Sequence, residues 1–257
     1  MPDPRTLGAV ALVVSITAAA YPAASLVIKR LGFDQKAGTR SSNPSVALLV
    51  AAAFNLVIAG AALAVYVLVG HRRLSAMGFH LTGNDTGVGL AIVAFTGVLA
   101  WLFVGSRVEA RSPSAPLLGP VVIGLTAAAF QEEVVFRGFI VSLLRPDGWV
   151  VAILVSTLLF TLVHFLTTQV TWHRTLKWLL GGVSLFTVYY ISGSVWAATV
   201  AHLARNLANA LLLLEIPGAS LVRLRTRVSE GYHTVYTLVW SIGTILLAIT
   251  WHSLGHA

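Results

Sequence analysis

Glu132, Glu133 and Arg137 stand in the middle of a run from 117 to 144 that is otherwise almost wholly apolar. A charged side chain at the centre of a bilayer costs about 2.5–3.5 kcal/mol on insertion scales, so three of them unpaired would cost roughly 8–10 kcal/mol. They must face protein, water or one another. Glu133 and Arg137 are four residues apart, which on a helix puts them on one face in the favourable order for an ion pair. Glu132 is five residues from Arg137 and points well away from it. The spacing predicts a division of labour in which Arg137 holds Glu133 and Glu132 stays free to exchange protons as a general base. The competing reading ends the helix near Phe130 and puts the glutamates in a solvated loop. Against it, Val134 to Leu144 continues apolar apart from Arg137, Gly138 and Ser142.

Two further apolar runs carry chemistry. One holds Phe160 and His164, the other His202 and Asn206, which are four apart and share a helical face. Two imidazoles, an amide and a free carboxylate from three helices can polarise a water and stabilise an oxyanion. A single such histidine is more often a hydrogen-bonded structural residue. Ionisable groups on separate membrane helices usually converge on one site, and that favours the functional reading. The chain has no cysteine, which removes thiolate nucleophiles, thiolate metal sites and disulfides. Glu132, His164 and His202 have the donor types of a Zn²⁺ site. The H-E-x-x-H signature of zinc peptidases is absent, so a divalent metal and a metal-free activated water both stay open. No nucleophile motif surrounds Ser192 or Gly193-Ser194, which argues against a rhomboid-like serine protease. Arg205 either meets a substrate carboxylate or pairs with Glu215 or Glu133, the structural role being favoured. Asn209 extends the polar stripe of Asn206, while Gln131, Thr167, Thr168 and Gln169 read as satisfying backbone or loop hydrogen bonds.

The elements that position these residues follow from composition. Of 257 residues, 57% are hydrophobic and 10% charged, with a mean hydropathy of +0.84, against about 25% charged in an ordinary globular domain. Apolar runs near the 17–25 residues needed to cross a bilayer fall at about 7 to 28, 46 to 69, 88 to 104, 117 to 144, 149 to 168, 175 to 191, 195 to 214 and 235 to 252. The expectation is an all-α integral membrane protein of about eight transmembrane helices, a single polytopic domain over residues 1–257 with a polar intramembrane site. Gly83 to Gly87 and Ser112 to Pro116 read as turns. Trp101, Trp149, Trp172, Trp178, Trp196 and Trp251 fall near span ends, as an interfacial aromatic belt would.

The net charge of +8 does not indicate nucleic acid, because the cations sit in short loops instead of on one face. Lys29, Arg30, Lys36, Arg40, Arg107, Arg111, Arg174, Lys177, Arg223, Arg225 and Arg227 follow odd-numbered spans, while Arg5, Arg72, Arg73 and Arg145 lie on the opposite side. The positive-inside rule then puts both termini outside the cytoplasm of a multi-pass protein in the plasma (cytoplasmic) membrane. A cleavable signal peptide at Leu7 to Ile28 is disfavoured, since its cations follow the apolar core instead of preceding it. One feature fits poorly: His164 lies about fifteen residues and His202 about seven from the same membrane face, a mismatch of roughly 12 Å at 1.5 Å per residue.

In order, the motifs read E-E-x-x-x-R at Glu132, Glu133 and Arg137, F-x-x-x-H at Phe160 and His164, and H-x-x-x-N at His202 and Asn206. Over about 115–215 the chain resembles the CPBP family of intramembrane proteases, which includes the CAAX prenyl endopeptidases. The resemblance implies hydrolysis of a peptide bond, with Glu132 and His164 activating water, His202 and Asn206 stabilising the oxyanion, and Glu133, Arg137 and Phe160 in support. It implies a peptide or lipidated protein substrate met at the lipid bilayer. Two other functions suit the same composition: a catalytically idle scaffold or bacteriocin self-immunity protein on this fold, and a proton-coupled transporter. The transporter lacks the expected repeated pair of Gly/Pro-interrupted helices.

Overall fold

The computed structural model describes residues 4–30, 44–80, 82–105, 108–110, 115–212, 222–224 and 229–254. Eight long helices carry almost all of them: α1 Pro4–Arg30, α2 Pro44–Leu68, α3 Gly83–Val104, α4 from Ala115–Glu133, α5 Trp149–Thr167, α6 Trp172–Ser192, α7 from Val195–Leu207, and α8 Glu230–Leu254. Helix α4 does not stop at its glutamates. It continues through a π-helical stretch, Val134–Val141, and a last turn, Ser142–Leu144. Helix α7 likewise ends in a π-helical segment, Ala208–Leu212. Two three-residue strands, β1 Val108–Ala110 and β2 Val222–Leu224, pair antiparallel with Val108 opposite Leu224. They tie the α3–α4 connection to the α7–α8 connection at one end of the bundle.

The chain is an all-α, multi-pass membrane protein. Among the described residues six helices, α1 to α5 and α8, are long and apolar enough to cross a bilayer by length and composition. Helix α6 opens on His173, Arg174 and Lys177, and α7 has thirteen α-helical residues that include His202, Arg205 and Asn206. Outward-facing positions are apolar, with Val57 69%, Leu68 70%, Leu102 70% and Val150 70% exposed. An apolar exterior of this kind matches hydrocarbon and leaves polar groups to pair inside.

Local sequence explains the helix starts. Helix α3 begins at Gly83, five residues before the expected limit, because Thr82 and Asp85 form a capping box: the Thr82 hydroxyl accepts from Asp85 N–H at 3.1 Å and Asp85 accepts from Thr82 N–H at 2.8 Å. Gly83 to Gly87 is therefore a first helical turn. Of the other turn expected, Ser112 to Pro116, residues 111–114 lie outside those described, and α4 starts at Ala115.

The α2–α3 connection folds inward. A 3-10 turn, Leu74–Met77, buries Met77 completely, and Gly78 takes a left-handed φ of 87°. A Cβ on Gly78 would lie 2.3 Å from the Gly193 carbonyl oxygen. That closeness lets the Gly78 carbonyl accept from Val195 N–H at 3.1 Å, while Ser194 donates to the His80 carbonyl at 2.9 Å and caps α7. Helix α7 thus starts inside the bundle, against this connection. The expected mismatch of roughly 12 Å between His164 and His202 assumed that both helices start at the membrane face.

Candidate active site

The π-helical stretch follows directly on Glu132 and Glu133, and every residue from Val134 to Val141 is buried. Such segments are rare and frequently mark functional sites. Glu133 and Arg137 are both 0% exposed, with Arg137 Nη1 3.1 Å from Glu133 Oε1. Arg137 Nη2 donates to the Gly182 carbonyl on α6 at 3.0 Å, and its guanidinium lies 4.7 Å from the Phe160 ring centre on α5. Glu133 Oε1 also sits 2.7 Å from His202 Nδ1 on α7. One buried carboxylate therefore binds α4 to α7, and its arginine binds α4 to α5 and α6.

These contacts fix the tautomers of both histidines. His164 Nδ1 lies 2.7 Å from the Phe160 carbonyl oxygen, an atom that can only accept, so Nδ1 carries a proton. His202 Nδ1 faces a carboxylate oxygen already paired with Arg137, so it too donates. Each ring then turns its Nε2 toward Glu132: His164 Nε2 is 3.9 Å from Oε1 and His202 Nε2 is 3.6 Å from Oε2. Glu132 is 12% exposed, unlike its fully buried neighbour, and its Oε2 makes no hydrogen bond among the described residues. Three proton acceptors face one another across gaps too wide for direct hydrogen bonds. A proton held among them, or a water donating to them, relieves the repulsion.

Phe160 is 1% exposed and organises the cluster by its ring. Its centroid lies 5.4 Å from Phe136, 4.7 Å from His164 and 6.1 Å from His202, besides the contact with Arg137. Asn206 lies one turn after His202 on α7 and is half-buried. Arg205 does not pair with Glu133. It donates to the Lys177 carbonyl at 3.1 Å and lies over the Trp240 ring at 5.1 Å. Glu215 lies outside the described residues. Ser192 donates to the Val188 carbonyl and Ser194 caps α7, so both serines have structural work.

Some participants were not expected from the sequence. Trp178, assigned there to an interfacial belt, packs its ring at a tilt against His164 at 5.0 Å and against Phe165 at 5.7 Å. Gln131 is fully buried and bonds another helix instead of backbone: Tyr21 of α1 donates to its Oε1 at 3.0 Å, and its Nε2 has no partner among the described residues. Thr168 does bond backbone, donating to the His164 carbonyl. Gly181 and Gly182 let α6 approach closely, since added Cβ atoms would lie 2.1 Å from Arg205 Nη1 and 2.8 Å from Thr157 Cγ2. The Gly-Gly pair was a legible signal, because small residues are what allow close approach of membrane helices.

The donor types suit a divalent metal, but the spacing does not make a cage. Among the described residues no group of three or more His, Asp and Glu side chains could hold a metal ion. Tetrahedral ligands at about 2.0–2.2 Å from one Zn²⁺ lie roughly 3.3–3.6 Å apart, so the His202–Glu132 separation of 3.6 Å is at that limit and the His164–Glu132 separation of 3.9 Å is beyond it.

Comparison with curated proteins gives no match. A scan against family models does, over residues 113–208, a segment that holds Glu132, Glu133, Arg137, Phe160, His164, His202 and Asn206. The matching family is described as type II CAAX prenyl endopeptidase Rce1-like, and it is a family of peptidases. The α4 to α7 core of this chain, with its carboxylate between two imidazoles, is the part that matches this family's model, in line with the expected resemblance to the CPBP/CAAX proteases.

Proposed function

We propose that the chain is an intramembrane endopeptidase that hydrolyses a peptide bond in a membrane-associated or lipidated substrate. The observation that carries this reading is the Glu132 carboxylate facing the Nε2 atoms of His164 and His202, each ring oriented by a bond at its Nδ1. A water seated on Glu132 lies within reach of His164 Nε2. Glu132 takes its proton as the oxygen attacks the scissile carbonyl, a step of general base catalysis worth about 10²–10⁴ in rate.

His202 has a different task. Its Nδ1–H is anchored on the Glu133 carboxylate, and its Nε2, an acceptor in the resting site, becomes a donor to the developing oxyanion once it takes up one further proton. The Asn206 amide, one turn further, is the second donor. Collapse of the tetrahedral intermediate returns the proton from Glu132 to the leaving amine. Glu133, Arg137 and Phe160 act by holding the rings in place.

A prenylated C-terminal segment is the substrate that the family's description names. A bacteriocin leader or signalling peptide meets the same chemical requirement of reaching the site from the bilayer. The test is mass-spectrometric profiling of new peptide termini in native-host membranes carrying wild type or Glu132→Ala at matched levels. Termini present only with wild type are expected, and they name the substrates. Identical profiles with a phenotype rescued by Glu132→Ala would replace the peptidase with the scaffold or immunity reading.

A further inference from the structure

The site as it stands is closed to a peptide, since Glu132 is 12% exposed and the His202 side chain 5%. A substrate backbone reaches the carboxylate only if a neighbouring helix gives way. Helix α1 is placed to do so. Of the six helices able to cross a bilayer among the described residues it has the smallest buried share, 17% against 28–44% for the others. It packs against α2, α5 and the π-helical stretch of α4, so it lies over the seam between the helices that carry Glu132 and His164. It also stands outside the matched segment 113–208.

A hydrogen bond ties α1 down at the depth of the site. The Tyr21 hydroxyl donates to Gln131 Oε1 at 3.0 Å, and Gln131, 0% exposed, directly precedes Glu132. The Glu132 charge also reaches that hydroxyl through space. The tie is half made: Gln131 Nε2 is buried without a partner among the described residues, and a buried donor left unpaired is costly. The closed arrangement therefore carries a penalty that is relieved once water or a substrate carbonyl reaches the amide. Pro22 follows Tyr21 inside α1. It has no N–H for the Ala18 carbonyl and its ring crowds that carbonyl, which makes this the point where the helix bends most readily.

We infer that α1 is a side gate to the Glu132 site, held shut by the Tyr21–Gln131 hydrogen bond and hinged at Pro22, through which a membrane-borne peptide enters from the bilayer. Such a gate supplies the entry path that the peptidase reading requires and rests on that reading for its substrate. Its opening is measurable without one.

The chain has no cysteine, so Glu132→Cys places a single thiol at the site. The full chain in phosphatidylcholine vesicles is alkylated with N-ethylmaleimide, and the rate is followed by intact mass. Adding Tyr21→Phe, which removes only the hydroxyl, is expected to raise the rate about two- to tenfold, the net worth of a typical hydrogen bond expressed as an opening equilibrium. Gln131→Leu should raise it similarly, and Tyr21→Phe should then add nothing, because the bond is already gone. Pro22→Ala, which restores a donor to the Ala18 carbonyl, is expected to slow the reaction. Thr244→Cys, a separate variant with its thiol fully buried on α8, registers general loosening and should label at one rate with and without Tyr21→Phe. No rise at position 132 with Tyr21→Phe, an equal rise at position 244, a further rise on adding Tyr21→Phe to Gln131→Leu, or no slowing with Pro22→Ala would each overturn the gate. Alkylation needs no peptidase activity, so a failed gate and a failed peptidase reading are separate results.

Discussion

Replacing Arg137 with leucine tests whether the Glu133–Arg137 pair or the surrounding apolar packing holds the core together. Arg137 is 0% exposed; its loss strips Glu133 of a partner at 3.1 Å, the Gly182 carbonyl of a donor at 3.0 Å and the Phe160 face of a cation at 4.7 Å. Breaking a buried pair by removing one member costs about 3–5 kcal/mol, mostly because the other charge is stranded. Glu133→Leu strands Arg137 in the same way. The double variant removes both charges and leaves only His202 Nδ1 and the Gly182 carbonyl unsatisfied, at about 1–3 kcal/mol for such groups. Each single variant is thus expected to be less stable than the double, with a coupling energy of about 3 kcal/mol or more. The assay is equilibrium unfolding of the full chain in mixed micelles, carried through all four corners of the cycle. Single variants within about 1 kcal/mol of wild type, or a double variant equal to their sum, would refute the buried-pair argument.

Three other outcomes are expected. Glu132→Gln should lower turnover of an identified substrate by about 10²–10⁴ while leaving the unfolding midpoint close to wild type, since Glu132 Oε2 makes no hydrogen bond among the described residues; full activity would remove Glu132 from the mechanism. Phe160→Ala should destabilise by about 3–5 kcal/mol and reduce activity, because its ring touches Arg137, His164 and His202; unchanged thermal unfolding would argue that the cluster holds without it. Gly78→Ala should cost more than about 2 kcal/mol, combining a left-handed residue with a Cβ placed 2.3 Å from the Gly193 carbonyl oxygen, where neither backbone can yield alone. It should lower activity too, since α7 hangs from the Gly78 carbonyl through Val195, and normal turnover would show that His202 does not depend on this anchor.

Some features were fixed by residue type and spacing alone. The density of apolar residues required membrane helices, because hydrocarbon leaves backbone groups no other partners. Glu133 and Arg137 had to meet, because four residues on a helix return to one face and unpaired charges there are too costly. Helix α3 also carried its own start in Thr82 and Asp85, though the apolar run began later and drew the expected limit to 88.

Which face of which helix meets the glutamates depends on distant contacts. His202 reaches Glu133 because the α2–α3 connection, more than 100 residues earlier in the chain, seats the start of α7 inside the bundle through Gly78 and His80. Tyr21 meets Gln131 across 110 residues, and Arg137 finds the Gly182 carbonyl only because two glycines let α6 come near. A periodicity records which side of a helix is apolar, but not how far that helix slides along its neighbour. The sequence therefore determined which residues had to be paired inside the membrane. Tertiary packing decided that Glu132 would be the one left facing two imidazoles, because Arg137 and His202 both settle on Glu133.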